Sequence, residues 1–401
     1  VIAHLAVGGG LFLVLTERKA VKTGNTALLE YVKRHTWFFL LLTMVFGGLT
    51  GVGIWFIISL VQPAATSSLI HTFVFGWAIE WVFFIGEIVA LLIYHYRFGK
   101  MDHRSHMVIG WLYFIFAWLS LFIINGILTF MLTPGQWIET GSFWHGFFNP
   151  SFLPALIFRT CIALIFAGVF GLVTASWLKD TGTRSSVFRL CARWMYVPVA
   201  VLVLTGIYYT RVISEESFQN LFHFNRESSP FITLLIVSSF LLFGLGLFTL
   251  VRLPQWLQKS GALLLVVISF AWMSGFEYMR EIARKPYVLY GHMYSNGINP
   301  AELDRINREG FLNHARWIQA GLEEPGSELE AGAEIFRLQC LSCHTIDGYN
   351  GLMNKTDKLT KRGLEAQLTG MGKVHTYMPP FAGNEREKRA LAAYLYTALQ
   401  G

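Results

Sequence analysis

The feature that most constrains this 401-residue chain is a series of long apolar stretches without charged residues. The clearest covers 37–60, and at 1.5 Å per residue such a helix crosses a hydrocarbon core about 30 Å thick. Only 14% of the residues are charged, against about 25% in soluble domains, which excludes a disordered chain and a nucleic-acid-binding module. We therefore predict an all-α fold built on a polytopic bundle of about eight transmembrane helices. The predicted spans are 1–16, 37–60, 69–94, 107–132, 152–178, 194–209, 231–251 and 261–278. The first begins without a cap, so we expect residues to precede Val1.

The distribution of Lys and Arg orients this bundle. The first, third, fifth and seventh connections are rich in basic residues, whereas the connections between them contain almost none. Because cytoplasmic loops retain positive charge, we predict that these four connections are cytoplasmic. Everything after Tyr278 is then extracytoplasmic.

Composition changes near Met279, where charged and turn-forming residues become frequent. The predicted organisation is a transmembrane bundle over 1–279, an extracytoplasmic connector over 280–327 and a small domain over 328–401.

That last domain contains the sequence Cys340-Leu-Ser-Cys343-His344. Two thiols one helical turn apart can bond the vinyl groups of a haem, and the adjacent imidazole can bind its iron, so the pattern predicts one covalent haem c. A zinc site would need two further ligands. The other cysteines, Cys161 and Cys191, lie in or beside predicted membrane helices and are most simply buried thiols.

Around this motif, 328–401 resembles a small class I cytochrome c. Gly332 and Phe336 stand where that family packs its first helix, and a closing amphipathic helix carries Leu391, Tyr394 and Leu395. Met378, in Tyr-Met-Pro-Pro-Phe, matches the family's sixth iron ligand. Met371 and His375 are the alternatives for that role.

Charged groups inside a span are costly, so each needs an explanation. Glu80 and Glu87 are two helical turns apart and share a face, which predicts a proton route toward a buried redox centre or a polar pocket. The third charge is Arg159. In the alternative interpretation, one carboxylate pairs with Arg159 and only stabilises the bundle.

His4 and His71 are the histidines that the predicted spans contain, and either is a candidate haem ligand or a packing residue. A further set is predicted to lie on a solvated cytoplasmic face: His95, His103 and His106.

After the last span, Glu277, Arg280, Glu281 and Arg284 alternate in sign at helical spacing. This pattern is typical of exposed ion pairs. At the outer membrane surface it also suits contacts to haem propionates or an iron carboxylate ligand.

Over about residues 1–290 the chain resembles subunit I of the cytochrome bd-type quinol oxidases. The matching segments, in order, are Gly48-Leu49-Thr50-Gly51, Ala78-Ile79-Glu80, Phe83-Phe84 before Glu87, Ile124-Asn125-Gly126, Asn149-Pro150 and Arg284-Lys285-Pro286-Tyr287. The resemblance implies that Glu80 and Glu87 lie on the proton route and near haem.

The chain also departs from that family. The long quinol-binding loop is reduced to 212–230, and a cytochrome c domain replaces the ninth helix. Arg159 stands where the family has a histidine ligand for its low-spin haem b, and Leu235 falls near its methionine partner. His4 lies close to the expected position of the first-helix ligand, and Glu277 is the carboxylate nearest the eighth-helix ligand position, Ser274.

We therefore expect a membrane-bound haem subunit of a respiratory electron-transfer complex in a bacterial inner membrane. It would pass electrons between haem c and the bundle and, as a bd-like oxidoreductase, on to oxygen. Two alternatives stay open: a relay between the quinone pool and periplasmic cytochromes, and a membrane-anchored haem c carrier. The resemblance further implies b- or d-type haems and a second membrane subunit. The expected redox partners are periplasmic cytochromes or quinone, and the composition predicts no nucleic-acid partner.

Overall fold

The computed structural model of the chain describes residues 1–224, 228–246, 253–316, 318–322, 327–348, 350–374 and 376–400. These residues form two compact units. The N-terminal unit comprises Val1–Ile57 and Leu69–Glu281, and the C-terminal unit comprises Ile58–Ser68 and Ile282–Gly401.

Helices make up the described part of the chain up to the end of the last span. They are α1 Ile2–Lys22, α2 Thr26–Leu40, α3 Gly48–Val61, α4 Pro63–Thr72, α5 Val74–Tyr96, α6 His103–Phe130, α7 Trp137–Thr140, α8 Phe143–Phe147, α9 Phe152–Ser176, α10 Thr181–Val212, α11 Glu215–Gln219, α12 Ser228–Ser239 and α13 Gln255–Ala283. Segments of π-helix continue α2, α11 and α12 over Leu41–Gly47, Asn220–Phe224 and Phe240–Gly246.

Within the described residues, six helices are long and apolar enough to cross a membrane. They are Thr26–Val61, Val74–Tyr96, His103–Phe130, Phe152–Ser176, Thr181–Val212 and Gln255–Ala283. The predicted first span corresponds to α1, and the predicted seventh overlaps the shorter apolar helix Ser229–Gly244. The predicted all-α, multi-pass architecture is confirmed.

Helix α1 packs closely against three other helices through glycines 8–10. A Cβ atom on the first glycine would lie 1.9 Å from the carbonyl oxygen of Ala163 in α9. A Cβ on the second would lie 2.3 Å from the Phe39 ring, and one on the third 2.4 Å from the Tyr113 ring. Small residues permit such close approach between membrane helices. Polar groups of α1 are thereby brought into contact with α6 and α9.

The C-terminal unit is a small helical domain with one antiparallel strand pair. Its elements are β1 Tyr287–Leu289, β2 Met293–Tyr294, the 3₁₀ turn Pro300–Glu302, α14 Leu303–Glu309, α15 Glu328–Gln339, α16 Met353–Thr356, α17 Lys361–Gly370 and α18 Glu385–Gln400.

Its core forms where α15 crosses α18. At Gly332 a Cβ atom would lie 2.3 Å from the carbonyl oxygen of Ala390, so only glycine permits this approach. One turn later the rings of Phe336 and Tyr394 meet with centroids 5.8 Å apart. This is the helix pairing that the resemblance to class I cytochromes c implies.

The segment before α15 belongs to the same core. Ile306, Phe311 and Leu312 are buried in one apolar cluster with side chains of α15 and α18. The Glu387 carboxylate, 2% exposed, accepts hydrogen bonds from the backbone N–H groups of Phe311 and Leu312. The Asn307 amide oxygen accepts another from the N–H of residue 383. Residues 306–312 are therefore held against the last helix by both apolar and polar contacts.

Candidate functional site

The haem-attachment motif forms a tight turn at the end of α15. Cys340 is the C-cap, and its N–H donates to the carbonyl of Phe336 at 2.9 Å. The N–H groups of Cys343 and His344 both donate to the carbonyl of Cys340, at 3.0 and 2.8 Å. Both cysteines are free thiols, with Cys343 exposed and Cys340 partly buried. One turn thus carries all three groups of the motif.

The His344 imidazole is oriented by a backbone contact. Its Nδ1 lies 3.1 Å from the carbonyl oxygen of Asn350, a residue with the positive φ of 51° that asparagine tolerates. The Asn350 side chain donates back to the carbonyl of Cys343 at 2.6 Å and also bonds Lys355. Ligating histidines commonly bond a carbonyl through the ring nitrogen that does not bind the metal. Nε2 is therefore the nitrogen suited to iron.

These groups fit haem c better than zinc. Burial raises the pKa of the Cys340 thiol to about 12. A zinc site would need further Cys, His or carboxylate ligands around this turn. Among the described residues, no cluster of His, Cys, Asp and Glu side chains is arranged to hold a metal ion. Apolar side chains also line this region, including Ile346, Leu352 and Leu359.

The predicted sixth ligand lies on a segment tied to the motif. Met378 is partly buried, and the backbone four residues further on is held by Gln339, the residue before Cys340. The Gln339 amide donates to the carbonyl of Ala382 at 2.6 Å and accepts from its N–H at 3.2 Å. Met371 is also partly buried, whereas His375 lies outside the described residues. Met378 remains the predicted ligand.

In the N-terminal unit, Glu80 and Glu87 both face α6. Ser120 donates to Glu80 Oε1 at 2.7 Å, and the Tyr113 hydroxyl lies 3.2 Å from Glu87 Oε1. The same hydroxyl lies 3.0 Å from the carbonyl oxygen of Ala6 in α1. Both carboxylates therefore have hydroxyl partners. The alternative in which one of them pairs with Arg159 is wrong.

Arg159 instead pairs with Glu277. Arg159 Nη2 lies 3.4 Å from Glu277 Oε1, and Arg280 Nε lies 2.8 Å from Glu277 Oε2. The Arg159 and Arg280 side chains are only 5% and 14% exposed, and they lie on the apolar helices α9 and α13. The expectation of exposed ion pairs is thus wrong for Arg280. Both oxygens of Glu277 are engaged by arginines.

Three polar atoms next to this ion-pair cluster are buried without a hydrogen-bond partner: Arg159 Nε, Arg280 Nη1 and His4 Nε2. Both guanidinium groups contact Glu277, and the Glu281 carboxylate also interacts with the charge of Arg280. A buried polar donor without a partner is unfavourable, so these free donor positions suit a bound acceptor. These groups fit a haem. The imidazole nitrogen can ligate the haem iron, and the free guanidinium donors can bond the haem propionates. His71, the other predicted candidate, is exposed.

Two motifs of the bd-oxidase resemblance meet at one end of α6. The Asn149 amide donates to the carbonyl of Gly126 at 3.1 Å, and the Asn125 amide donates to the carbonyl of Phe152 at 2.9 Å. Thr133 donates to the Asn149 amide oxygen at 3.1 Å. These buried bonds join α6 to the start of α9, so the motifs have a structural role.

Comparison with known proteins agrees with both halves of this description. Residues 327–395 match the family of cytochrome c oxidase, cbb3-type, subunit III. A structure described as bd oxidase from Geobacillus thermodenitrificans is similar in fold, with a TM-score of 0.62 over 73% of this chain and 85% of that chain, at 15% sequence identity. None of the curated proteins compared with the chain matches it significantly.

The chain joins a bd-oxidase-like helical fold to a class I cytochrome c-type domain. The predicted fusion is therefore confirmed. The cytochrome c-type domain implies haem c, and the helical part makes this a multi-pass membrane protein.

The structure also reveals buried polar groups that the sequence interpretation missed. His106, predicted to be solvated, is 3% exposed and bonds Glu17, which is 2% exposed. His35 is fully buried, with Nδ1 2.8 Å from the Thr174 hydroxyl. In the sequence, Glu17 directly follows the apolar run 1–16 and precedes Arg18. It therefore looks like a solvent-exposed charge at the end of a membrane span. One signal in the sequence could have indicated this site. Tyr94 follows Glu80 and Glu87 at the same seven-residue spacing and therefore lies on the same face of α5.

Proposed function

We propose that this chain is the haem subunit of a respiratory complex in which electrons pass between haem c and haem held in the helical bundle, with oxygen as the terminal acceptor. The observation that supports this best is the combination, on one chain, of a haem-attachment turn and a buried cluster of His4, Arg159, Glu277 and Arg280 with unsatisfied donors. A helical unit that served only as an anchor would have no use for buried arginines.

The proposed orientation places the cytochrome c-type domain in the periplasm. The basic connections support it, since positive loops are retained in the cytoplasm. Haem c is also attached outside the cytoplasm, which agrees with this side. A soluble cytochrome is then the proposed redox partner, and a second membrane subunit is proposed from the resemblance.

In the C-terminal unit, Cys340 and Cys343 would hold haem c by thioether bonds, while His344 and Met378 would ligate its iron. When bound, this haem accepts and donates single electrons. The contribution of the chain is to orient His344 through Asn350 and to keep the attachment turn against α15. A thioether sixth ligand raises the haem potential into the range used in electron transfer.

In the N-terminal unit, His4 would offer Nε2 to a second haem, and Arg159 and Arg280 would receive its propionates. Glu277 holds the two arginines in place through its carboxylate oxygens. Glu87 and Glu80 would hold and pass protons, each steadied by a hydroxyl of α6.

One observation favours a second candidate, a relay without oxygen chemistry. By resemblance, Arg159 occupies the place of a histidine ligand for a low-spin haem, and here it is committed to Glu277. A bundle with fewer haems suits transfer between quinone and periplasmic cytochromes.

Pigment analysis of the purified complex distinguishes these functions. Haem c alone would indicate an anchored carrier, and additional b-type haem without oxygen consumption would indicate the relay. A chlorin-type haem together with oxygen consumption would support the oxidase. His4→Ala should reduce the non-covalent haem content and leave haem c unchanged, whereas the matched variant of the exposed His71, His71→Ala, should retain both. Equal haem content in the two variants would contradict the role of His4.

A further inference from the structure

Helices α5 and α6 face each other through a regular series of polar contacts. They are antiparallel neighbours in the chain, and their polar side chains pair at seven-residue intervals on both helices. The pairs are Glu80 with Ser120, Glu87 with Tyr113, and Tyr94 with His106. Seven residues are about two turns, or about 10.5 Å along the axis. The three pairs therefore lie in one line along the helix interface.

The third pair belongs to an acid–base cluster formed by Glu17, Tyr94, His103 and His106, in which all members except His103 are buried. His106 Nδ1 lies 2.8 Å from Glu17 Oε1, and His106 Nε2 lies 2.9 Å from the carbonyl oxygen of Tyr94. The Tyr94 hydroxyl donates to Glu17 Oε2. The Glu17 side chain is only 3% exposed.

Hydrogen-bond chemistry requires this cluster to hold an additional proton. A carbonyl oxygen can only accept, so His106 Nε2 must carry a proton. Its Nδ1 faces a carboxylate, so either Nδ1 is also protonated or Glu17 is. In both cases the Glu17–His106 pair holds one proton more than a carboxylate with a neutral imidazole.

One member of the cluster reaches solvent. His103 is 41% exposed, and its Nδ1 lies 3.3 Å from the same Oε1 atom of Glu17 that contacts His106. In the described part of the chain, the titratable groups that bond Glu17 are Tyr94 of α5 together with His103 and His106 of α6. His103 therefore links solvent to a buried group that stores a proton.

We propose that this acid–base cluster is the site where the chain takes up protons from the cytoplasm, and that Glu87 and Glu80 receive them in turn. The inference rests on the proposed function, which assigns those two glutamates to the proton route. The Glu17–His106 pair gives its stored proton to Glu87, and a proton from water that binds the His103 imidazole then refills the pair, which leaves His103 neutral again. The proposal requires bridging water in the intervals between the three pairs, because each interval is about 10.5 Å along the helix axis.

The test is electron-driven proton uptake by the purified complex in liposomes, measured with a pH-indicator dye on the side of the α1–α2 connection. His103→Gln and Glu17→Gln should slow uptake by about 10²-fold, because a positioned acid–base group typically contributes 10²–10⁴ in rate. Haem c content and the extent of its reduction should not change. The control variants are His95→Gln, beside Tyr94, and Glu30→Gln, whose exposed side chain pairs with Arg34. Both should take up protons at the wild-type rate.

Wild-type rates of proton uptake in His103→Gln and Glu17→Gln would overturn the proposal. The cluster would then serve only to hold α1, α5 and α6 together. If Glu17→Gln does not assemble, His103→Gln decides the matter, because its side chain is largely outside the core. Electron transfer without any proton uptake in the wild type would overturn this inference but not the electron-transfer function. Absence of haem reduction in the wild type would overturn both.

Discussion

Replacing Glu387 by glutamine should destabilise the C-terminal unit by about 2–6 kcal/mol. The carboxylate accepts three backbone hydrogen bonds while 2% exposed. Oε2 accepts from Phe311 at 2.7 Å and from Asn384 at 2.9 Å, and Oε1 accepts from Leu312 at 2.8 Å. All the donors are N–H groups, so the site has no acceptor for an amide NH₂.

The magnitude follows from the better of the two amide orientations. If the glutamine oxygen points toward Phe311 and Asn384, its NH₂ group faces the N–H of Leu312. Both the NH₂ group and the Leu312 N–H are then buried donors without an acceptor. Each costs about 1–3 kcal/mol. The two remaining bonds also lose their charge assistance, which roughly halves their strength. In the opposite orientation the N–H groups of Phe311 and Asn384 both lose their acceptor, so the loss of stability is larger.

The assay is urea denaturation of the full-length protein in detergent, followed by the Soret band of haem c, which reports on this unit because the haem is covalently attached there. The matched control is Glu385→Gln on the same helix, whose side chain is 79% exposed and pairs with Lys388. An exposed pair contributes at most about 1 kcal/mol, so this control should unfold near the wild-type midpoint. Equal unfolding midpoints for the two variants would show that the buried Glu387 hydrogen bonds do not stabilise this unit.

Three further predictions follow from the same contacts. Changing both Cys340 and Cys343 to serine should abolish haem staining after denaturing electrophoresis, while the helical unit still inserts; a stained band would contradict covalent attachment. Tyr113→Phe should slow electron-driven proton uptake by about tenfold or more, whereas Tyr96→Phe, at an exposed position, should not, and equal rates would remove Tyr113 from the route. A hydrogen bond from its arginine neighbour holds the pKa of Glu334 below its ordinary value of 4.5. Its stabilising effect should therefore be present above that value and lost as pH falls through the folded-state pKa. Urea midpoints of wild type and Glu334→Gln should differ at pH 7 and converge in acid, and a constant difference would contradict the assignment.

Predictions from the sequence succeeded where the relevant information is local. The haem-attachment motif lies within one turn, so its spacing alone specifies the chemistry. Apolar length likewise identifies membrane helices, because the requirement to bury backbone polar groups in lipid acts on each segment separately. The packing of α15 against α18 at Gly332 could be predicted only from the resemblance to class I cytochromes c.

Predictions from the sequence failed where a polar group depends on a distant partner. His106 looks like a member of a basic cytoplasmic loop, yet it bonds Glu17, 89 positions away. Arg159 has carboxylates available in two helices, and the sequence does not indicate which one it meets.

The amino-acid sequence was therefore sufficient to predict repeated membrane crossing and a haem-attachment turn in a separate domain. The partners of the buried charges are visible only in the packed helices: Glu277 for Arg159, hydroxyls for Glu80 and Glu87, and two histidines for Glu17. The reason is physical, since the stability of a buried charge depends on the geometry of neighbours on other helices, and that geometry is set by how closely the helices pack.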